Sequence, residues 1–390
     1  MTKTEIEQRL APPAEMEPAH TLFGPARPCL LGPRPFAMSA YRYMRLSTRP
    51  GVGLIRSLLE DWFQRISPEA RTELRRRFRS EDDRQHIGAF FELYCNELLR
   101  VQGYNTVKQL ASPDFVATKN NVEIMMEATA TCESDSLWGN LELWNLMLDE
   151  LGRICSPDFH LGLDSSSGYP PSPEAVLDVK AYTEAQLRGL DYDTEARNEV
   201  AGEPYPCWTF THPTGWNLKL SAYPKVPESR GEAGRSLVIW HMPTGLVDTG
   251  RSLARALCSK ALAFGDANSP TIIAVNQTSD FSFVDDIDVV DVLFGADWGA
   301  PVSPSKRDGF FLKATPGHIS AVLLVKDLKP WSIARRPPVL WLNPFAISPL
   351  DISCWRIAYN APADGTALNE HPGEPAHVLF GLTPKWPEED

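Results

Sequence analysis

The sequence predicts an α/β protein built on a mixed sheet with helices on both faces. Three observations carry that expectation. Between residues 84 and 165 the hydrophobic pattern reads helix, three short strands, helix, strand. Val238, Ile239, Ile272, Ile273 and Val275 lie in short apolar runs typical of strands covered on both sides. An amphipathic helical pattern at 251–264 feeds the run at 271–275, so the stretches 236–241 and 271–275 are expected to extend the same sheet within one large domain.

The chain has 390 residues, 43% of them hydrophobic and 23% charged, which is an ordinary globular balance with ample material for a core. Its 34 prolines punctuate it strongly. The proline spacing from residue 12 to 50 forbids long regular elements, so 1–50 reads as an arm lying over the surface or partly disordered. Residues 51–83 read as a helical lead-in, with Leu54, Leu58, Leu59 and Phe63 at helical spacing. The main α/β body follows from 84 to 345, and 346–390 reads as C-terminal cover and tail. No internal repeat is visible.

Within the body, Ile87, Phe90, Phe91, Tyr94, Leu98 and Val101 recur at helical spacing and Gly103 stops that helix. Strands are expected at 105–110, 114–118 and 122–130, with Asn120-Asn121 joining the last two as a tight hairpin. Ser134 or Ser136 caps a helix whose Leu137, Leu141, Trp144, Met147, Leu148 and Leu151 form an apolar stripe. A strand at 159–163, a helix at 173–190 and a hairpin at 208–223 around Pro213-Thr214-Gly215 come next. Short strands near 319–325 and 339–342 read as part of the cover.

Several function classes fall away on composition. No apolar run approaches the ~20 residues that span a bilayer, and residues 1–20 are acidic and Pro-bearing, so a cytoplasmic protein without membrane contact is expected. The seven cysteines are isolated and odd in number, which indicates neither a disulfide framework nor a zinc knuckle, and they read as reduced, mostly packed thiols. A formal net charge of −12 argues against indiscriminate coating of nucleic acid, though not against a local basic groove. The arginines at 71, 75, 76, 77 and 79 read as a solvated helical face that pairs with its neighbours.

The acids offer more. Hard-oxygen ligands on adjacent rigid elements suit Mg²⁺ and the charge it must stabilise on a phosphate. Asp114 opens one strand and Glu127 lies on the next, where strand alternation puts Glu127 and Thr129 on one face. Glu92 sits beside Gly88, Cys95 and Leu99 on its helix, away from a wet edge formed by Asn96, Glu97 and Arg100. A carboxylate on a semi-apolar face wants a metal, a water or a cation.

The helix with Glu92, then Pro113-Asp114, then Glu127-Ala128-Thr129, resembles the PD-(D/E)XK, or restriction-endonuclease-like, nuclease superfamily over about a fifth of the chain. The resemblance implies a core of helix, three strands, helix, strand; Mg²⁺ or Mn²⁺ held by Asp114, Glu127 and the Ala128 carbonyl; and support from Glu92. It implies DNA as partner, with RNA and the oligomeric state left open. The segment from Leu253 through Lys260 to Ala274 is similar to a helix and strand of bacterial members. Thr129 departs from the pattern, standing where the family has lysine. A hydroxyl supplies no positive charge, so either another cation, Lys108 or Lys260, reaches the site or catalysis is weakened. Lys260, one step beyond Leu253 and Leu257, is the expected substitute.

Three readings follow: a metal-dependent nuclease, a non-enzymatic descendant that binds nucleic acid or protein, and a metal-dependent hydrolase with another substrate. Two distractors are set aside. Pro157-Asp158 with Asp178-Val179-Lys180 spells the motif more fully, but Asp178 falls in a helical pattern. His371, Glu374 and His377 have metal-ligand spacing broken by Pro372 and Pro375.

Overall fold

A computed structural model of the chain describes residues 21–25, 28–108, 112–131, 135–231, 237–239, 249–262, 264, 269–278, 286–295, 309–312, 315–363 and 367–388. Among the described residues four helices come first: α1 (Ala40–Leu46), α2 (Pro50–Gln64), α3 (Pro68–Phe78) and α4 (Asp83–Val101). Then follow β1 (Asn105–Lys108), β2 (Phe115–Lys119), β3 (Val122–Thr131), α5 (Asp135–Gly152), β4 (Phe159–Ser166), α6 (Pro173–Arg188), α7 (Tyr192–Val200), β5 (Cys207–Thr211), β6 (Asn217–Pro224) and β7 (Leu237–Ile239). The last part holds α8 (Thr249–Ala261), β8 (Thr271–Gln277), α9 (Asp286–Phe294), β9 (Ala321–Lys326), β10 (Val339–Leu342), β11 (Ala358–Ala363), β12 (Ala367–His371) and α10 (Ala376–Leu379).

The protein is therefore α/β, and its main sheet is mixed. Eight strands run in the order β1-β2-β3-β8-β9-β10-β11-β12. β1, β2 and β3 form an antiparallel meander, and β3, β8 and β9 run parallel to one another. Asn120 and Asn121 turn β2 into β3 with φ of 51° and 64°, the positive values that a two-residue type I′ loop requires.

Strand alternation sends two sets of side chains to two cores. Ile124, Met126 and Ala128 of β3, with Ile272 and Ala274 of β8, face α4 and the N-terminal helices. Ile273 and Val275 face the other way, against Leu253 and Leu257 of α8 and Val289 and Leu293 of α9. All seven residues of β8 are buried, as a strand covered on both faces demands.

Several expectations need correction. Residues 236–241 do not extend the main sheet: β7 pairs with β4 in a second sheet of order β5-β6-β4-β7, and positions 236, 240 and 241 lie outside the described residues. The helix and strand expected to complete the core, now α5 and β4, also belong to that second unit. Its core draws only on residues between Trp144 and Ile239, so among the described residues 144–239 form a separately packed insertion. The place beside β3 is taken by β8, delivered by α8.

The N-terminal segment is not a surface arm over its described part, since Leu22, Phe23, Tyr41, Tyr43 and Met44 are buried against α2, α3 and α4. Ser39 caps α1 by accepting from the Arg42 N–H, and short apolar stretches between prolines were enough to anchor it. The backbone N–H groups of Phe36 and Ala37 donate to the buried carboxylate of Asp149 on α5, tying this segment to the insertion. Residues 1–20 lie outside the described residues. Finally, the C-terminal third is no mere cover: β9 to β12 make half of the main sheet.

Of the six described cysteines only Cys95 is buried; Cys29, Cys155, Cys207 and Cys258 are exposed, so the expectation of packed thiols fails, while Cys132 lies outside the described residues. No helix among the described residues is long and apolar enough to cross a membrane.

Burial of the N-terminal segment has a measurable consequence. Met44 is fully buried, whereas Leu31 is 83% exposed. Met44→Ala is expected to lower unfolding stability by about 2–5 kcal/mol in urea titration, and Leu31→Ala to change it by about 0.5 kcal/mol or less. Equal effects would return this segment to the surface.

Candidate functional site

The site forms where β1, β2 and β3 leave their ladder. Phe115 pairs with Met126, so Asp114, one residue earlier, stands opposite Glu127 just past the last registered pair. Two hydrogen bonds tie the strands there: the Asp114 N–H donates to Glu127 Oε2 at 3.0 Å, and the Ala128 N–H donates to Asp114 Oδ2 at 2.9 Å. Ser112 Oγ donates to the same Glu127 oxygen at 3.2 Å. Glu127 is 5% exposed despite its charge.

Lys260 answers that charge. It comes from the last turn of α8, and its Nζ lies 2.7 Å from Glu127 Oε1. Leu253 and Leu257 are fully buried one and two turns earlier, which seats the helix on the sheet and leaves the 30%-exposed lysine side chain at its flank.

On the α4 side a second set of pairs surrounds Glu92. Arg77 of α3 grips it with two hydrogen bonds of 2.5 and 2.7 Å, the bidentate geometry a guanidinium favours. Lys108, at the end of β1, reaches Glu92 at 2.8 Å and Asp114 at 3.2 Å, with its ammonium 4.8 Å from the centre of the Phe115 ring. Its side chain is only 4% exposed. Asp114 thus sits at a corner, sharing Lys108 with Glu92 and backbone bonds with Glu127 and Ala128.

Electrostatics separate the acids. Burial, then the neighbouring Glu92 charge, pushes the Asp114 carboxyl above its ordinary range, with Lys108 opposing and Glu127 adding to the rise. Burial pushes Glu92 the same way, but the hydrogen bond from Arg77 and the charges of Lys108 and Arg77 outweigh it, leaving Glu92 below its ordinary value.

The structure thus brings together Glu92, Asp114, Glu127, Ala128 and Lys260 where β2 leaves β3, with Thr129 half-buried two residues along β3 on the Glu127 face. Of the two cations named from sequence, both arrive, Lys108 on one pair of acids and Lys260 on the third. Arg77 and Ser112 were not foreseen. The arginine run gave no sign of Arg77's role because Glu92 lies on the following helix, while the local spacing shows only Glu73, with which Arg77 also pairs at 3.5 Å. That run is not one solvated face either: Arg79 donates to the Thr21 and Leu22 carbonyls, and Arg71 to those of Gln64 and Ile66. The expected wet edge of α4 is likewise dry, since Asn96 and Glu97 are 4% and 3% exposed and Glu97 pairs with Arg65 and Arg100.

The alternative spelling of the motif scatters. Asp178 is exposed on α6, Asp158 pairs with Arg230, and Lys180 pairs with Glu150. Glu374 is taken by Arg356, and His371 stacks on Tyr359.

Among the described residues no three His, Cys, Asp or Glu side chains form a group that could hold a metal ion. Asp114 and Glu127 still offer two carboxylates beside the Ala128 peptide, and Mg²⁺ commonly takes one or two carboxylates and keeps several waters. That hard-oxygen donor set is of the right chemistry for it. Comparison of the chain with protein-family models, curated proteins and solved structures returned no match.

The acids' different surroundings yield a pH prediction. With Glu92 lowered on folding, its stabilising contribution is complete above the ordinary carboxylate range and is lost as pH falls through its lowered value; the raised Asp114 works the other way, opposing folding as pH rises through its own. Lys108→Met removes the cation both share. It is expected to raise both titrations in carboxyl NMR and to cost about 3–5 kcal/mol near neutrality, a deficit that narrows as acid protonates the abandoned carboxyls. A deficit that stays constant down the acid limb would disprove the shared-cation account.

Proposed function

We propose that the chain is a metal-dependent nuclease of the restriction-endonuclease-like type, hydrolysing phosphodiester bonds in DNA with Mg²⁺ or Mn²⁺. The observation that carries this reading is the Lys260 ammonium on Glu127, opposite Asp114, where the sequence motif lacks its lysine. The order of elements supports it too, a helix followed by three antiparallel strands and then a parallel strand delivered by a helix.

In this reading Asp114, Glu127 and the Ala128 carbonyl hold the divalent ion, which supplies positive charge to the phosphate under attack. Lys260 contributes a fixed ammonium whose remaining N–H donors orient a water or meet charge as it develops on phosphate oxygens. Thr129 adds a hydroxyl on the same face. Glu92 acts at one remove: gripped by Arg77, it fixes Lys108, and Lys108 fixes Asp114. It is a positioning residue.

One observation favours a second reading, a non-catalytic binding module on the same fold. Each of the three acids already has a protein cation, Arg77 and Lys108 on Glu92, Lys108 on Asp114 and Lys260 on Glu127, so the cluster is compensated without a metal.

The test is cleavage of supercoiled and linear DNA by the full chain with Mg²⁺ or Mn²⁺, abolished by chelation. Lys260→Ala is expected to slow cleavage by about a hundredfold or more with an unchanged circular dichroism spectrum, and Thr129→Lys in that background to recover part of it. Full activity in Lys260→Ala would remove Lys260 from the chemistry. Failure of the unmutated chain to cut any DNA or RNA would leave the binding-module reading.

A further inference from the structure

The parallel strands β3, β8 and β9 end together, and the carboxyl edge of such a sheet is where open α/β sheets present ligands. The side-chain rows on the Glu127 face change character towards that edge. The Glu127 row continues through Ile273 and Val322, and the next runs from Thr129 through Val275 and Leu324. The terminal row, Thr131, Gln277 and Lys326, is polar throughout. Four residues separate Glu127 from Thr131, roughly 13 Å along the strand, and two strand spacings, about 10 Å, separate β3 from β9.

Beyond Lys326 the chain turns through a basic loop carrying Lys329, Arg335 and Arg336 against a single acid, Asp327. The loop is rigidly held. Asn276 of β8, fully buried, spends both ends of its amide on the Leu328 backbone, donating to its carbonyl at 3.0 Å and accepting from its N–H at 3.0 Å. The Asp327 N–H donates to the Gln277 carbonyl at 2.8 Å, and the Lys329 N–H to Ser332 Oγ at 2.9 Å. This buried scaffolding presents cations at the surface in fixed positions.

Lys329 and Arg336 both pair with Asp327, whose side chain is only 14% exposed, whereas Lys326 and Arg335 are lightly committed. Lys326 pairs with Asp286, whose side chain is 74% exposed, and Arg335 meets Glu388, also 74% exposed, at 3.6 Å. Exposed pairs of this kind are weak and screened by salt, so a phosphate can replace the carboxylate. The Thr131 hydroxyl is buried at 7% exposure and has no hydrogen-bond partner among the described residues, a state that buried polar groups rarely keep.

We infer that the carboxyl edge formed by Thr131, Lys326 and the 326–336 loop is the surface that holds the phosphodiester backbone of a DNA duplex running past Glu127 and Lys260. The inference rests on the nuclease reading for its choice of partner. Local placement of basic groups also reconciles DNA binding with a chain of net charge −12, because affinity depends on the phosphates actually neutralised and not on the total.

The test is fluorescence anisotropy of the full chain with a labelled DNA duplex in chelator, across a salt series, so that binding is read without cleavage. Lys326→Ala, at a half-buried position, with Arg335→Ala, at an exposed one, is expected to weaken binding at least about tenfold and to reduce the slope of log affinity against log salt by about two. Arg188→Ala together with Arg84→Ala makes the same charge change elsewhere and is expected to leave the slope in place. Thr131→Val is expected to weaken binding with no change in slope. Binding by the Lys326/Arg335 variant equal to that of the control variant would overturn the inference, as would failure of the unmutated chain to bind duplex DNA. Loop-dependent binding without any cleavage under the metal conditions above would sink the nuclease reading and support this surface.

Discussion

Buried negative charge is the constraint around which this protein is organised. Glu92 and Glu127 are each 5% exposed, one reaching the end of β1 from α4 and the other standing on β3. A carboxylate taken out of water that far must be matched by cations and donors or it neutralises itself. Arg77, Lys108, Lys260, Ser112 and the Asp114 N–H do the matching. They come from four separate segments, so α3, β1, α8 and the turn before β2 must all be in place around α4 and β3 before the charges are satisfied. The site is therefore a readout of correct tertiary assembly, and losing any one partner is felt by the others through Asp114.

Much of this was legible in the residues. The β1–β3 meander showed as alternation broken by Asn120-Asn121, and α4 as a long helical stripe, because both are local patterns with strong punctuation. Asp114 and Glu127 could be placed opposite one another because register follows from a two-residue turn. Lys260 could be proposed because two leucines fixed which side of its helix meets the sheet. What the sequence hid was longer-ranged. Nothing local distinguishes β7, which joins the insertion, from β8, which joins the main sheet: both are short apolar runs, and only partner choice separates them. Arg77 looked like one arginine of five, since its bond to Glu92 is formed between helices. Glu97 looked wet because its partner Arg65 lies on α2, which covers that side of α4.

The N-terminal segment illustrates the same limit from the opposite direction. Prolines rule out long helices and strands but say nothing about burial. Leu22, Phe23 and Met44 reach the core through short stretches that no periodicity could reveal. In the same way the C-terminal strands β9 to β12 are brief, and brevity resembles a cover until pairing shows that they complete the sheet.

The insertion between β3 and α8 also bears on the order in which the chain assembles. β3 and β8 are adjacent in space, with Met125 beside Thr271, although most of the insertion lies between them in sequence. Closing so long a span with flexible chain carries an entropic cost and slows folding, as non-local parallel pairing generally does. An intervening unit with its own sheet and its own apolar core changes the terms: once collapsed, it acts as a compact spacer and only its flanking residues remain to be ordered. The central ladder of the main sheet, and with it the meeting of Lys260 and Glu127, thus depends on how compactly the intervening unit spans the distance between β3 and α8.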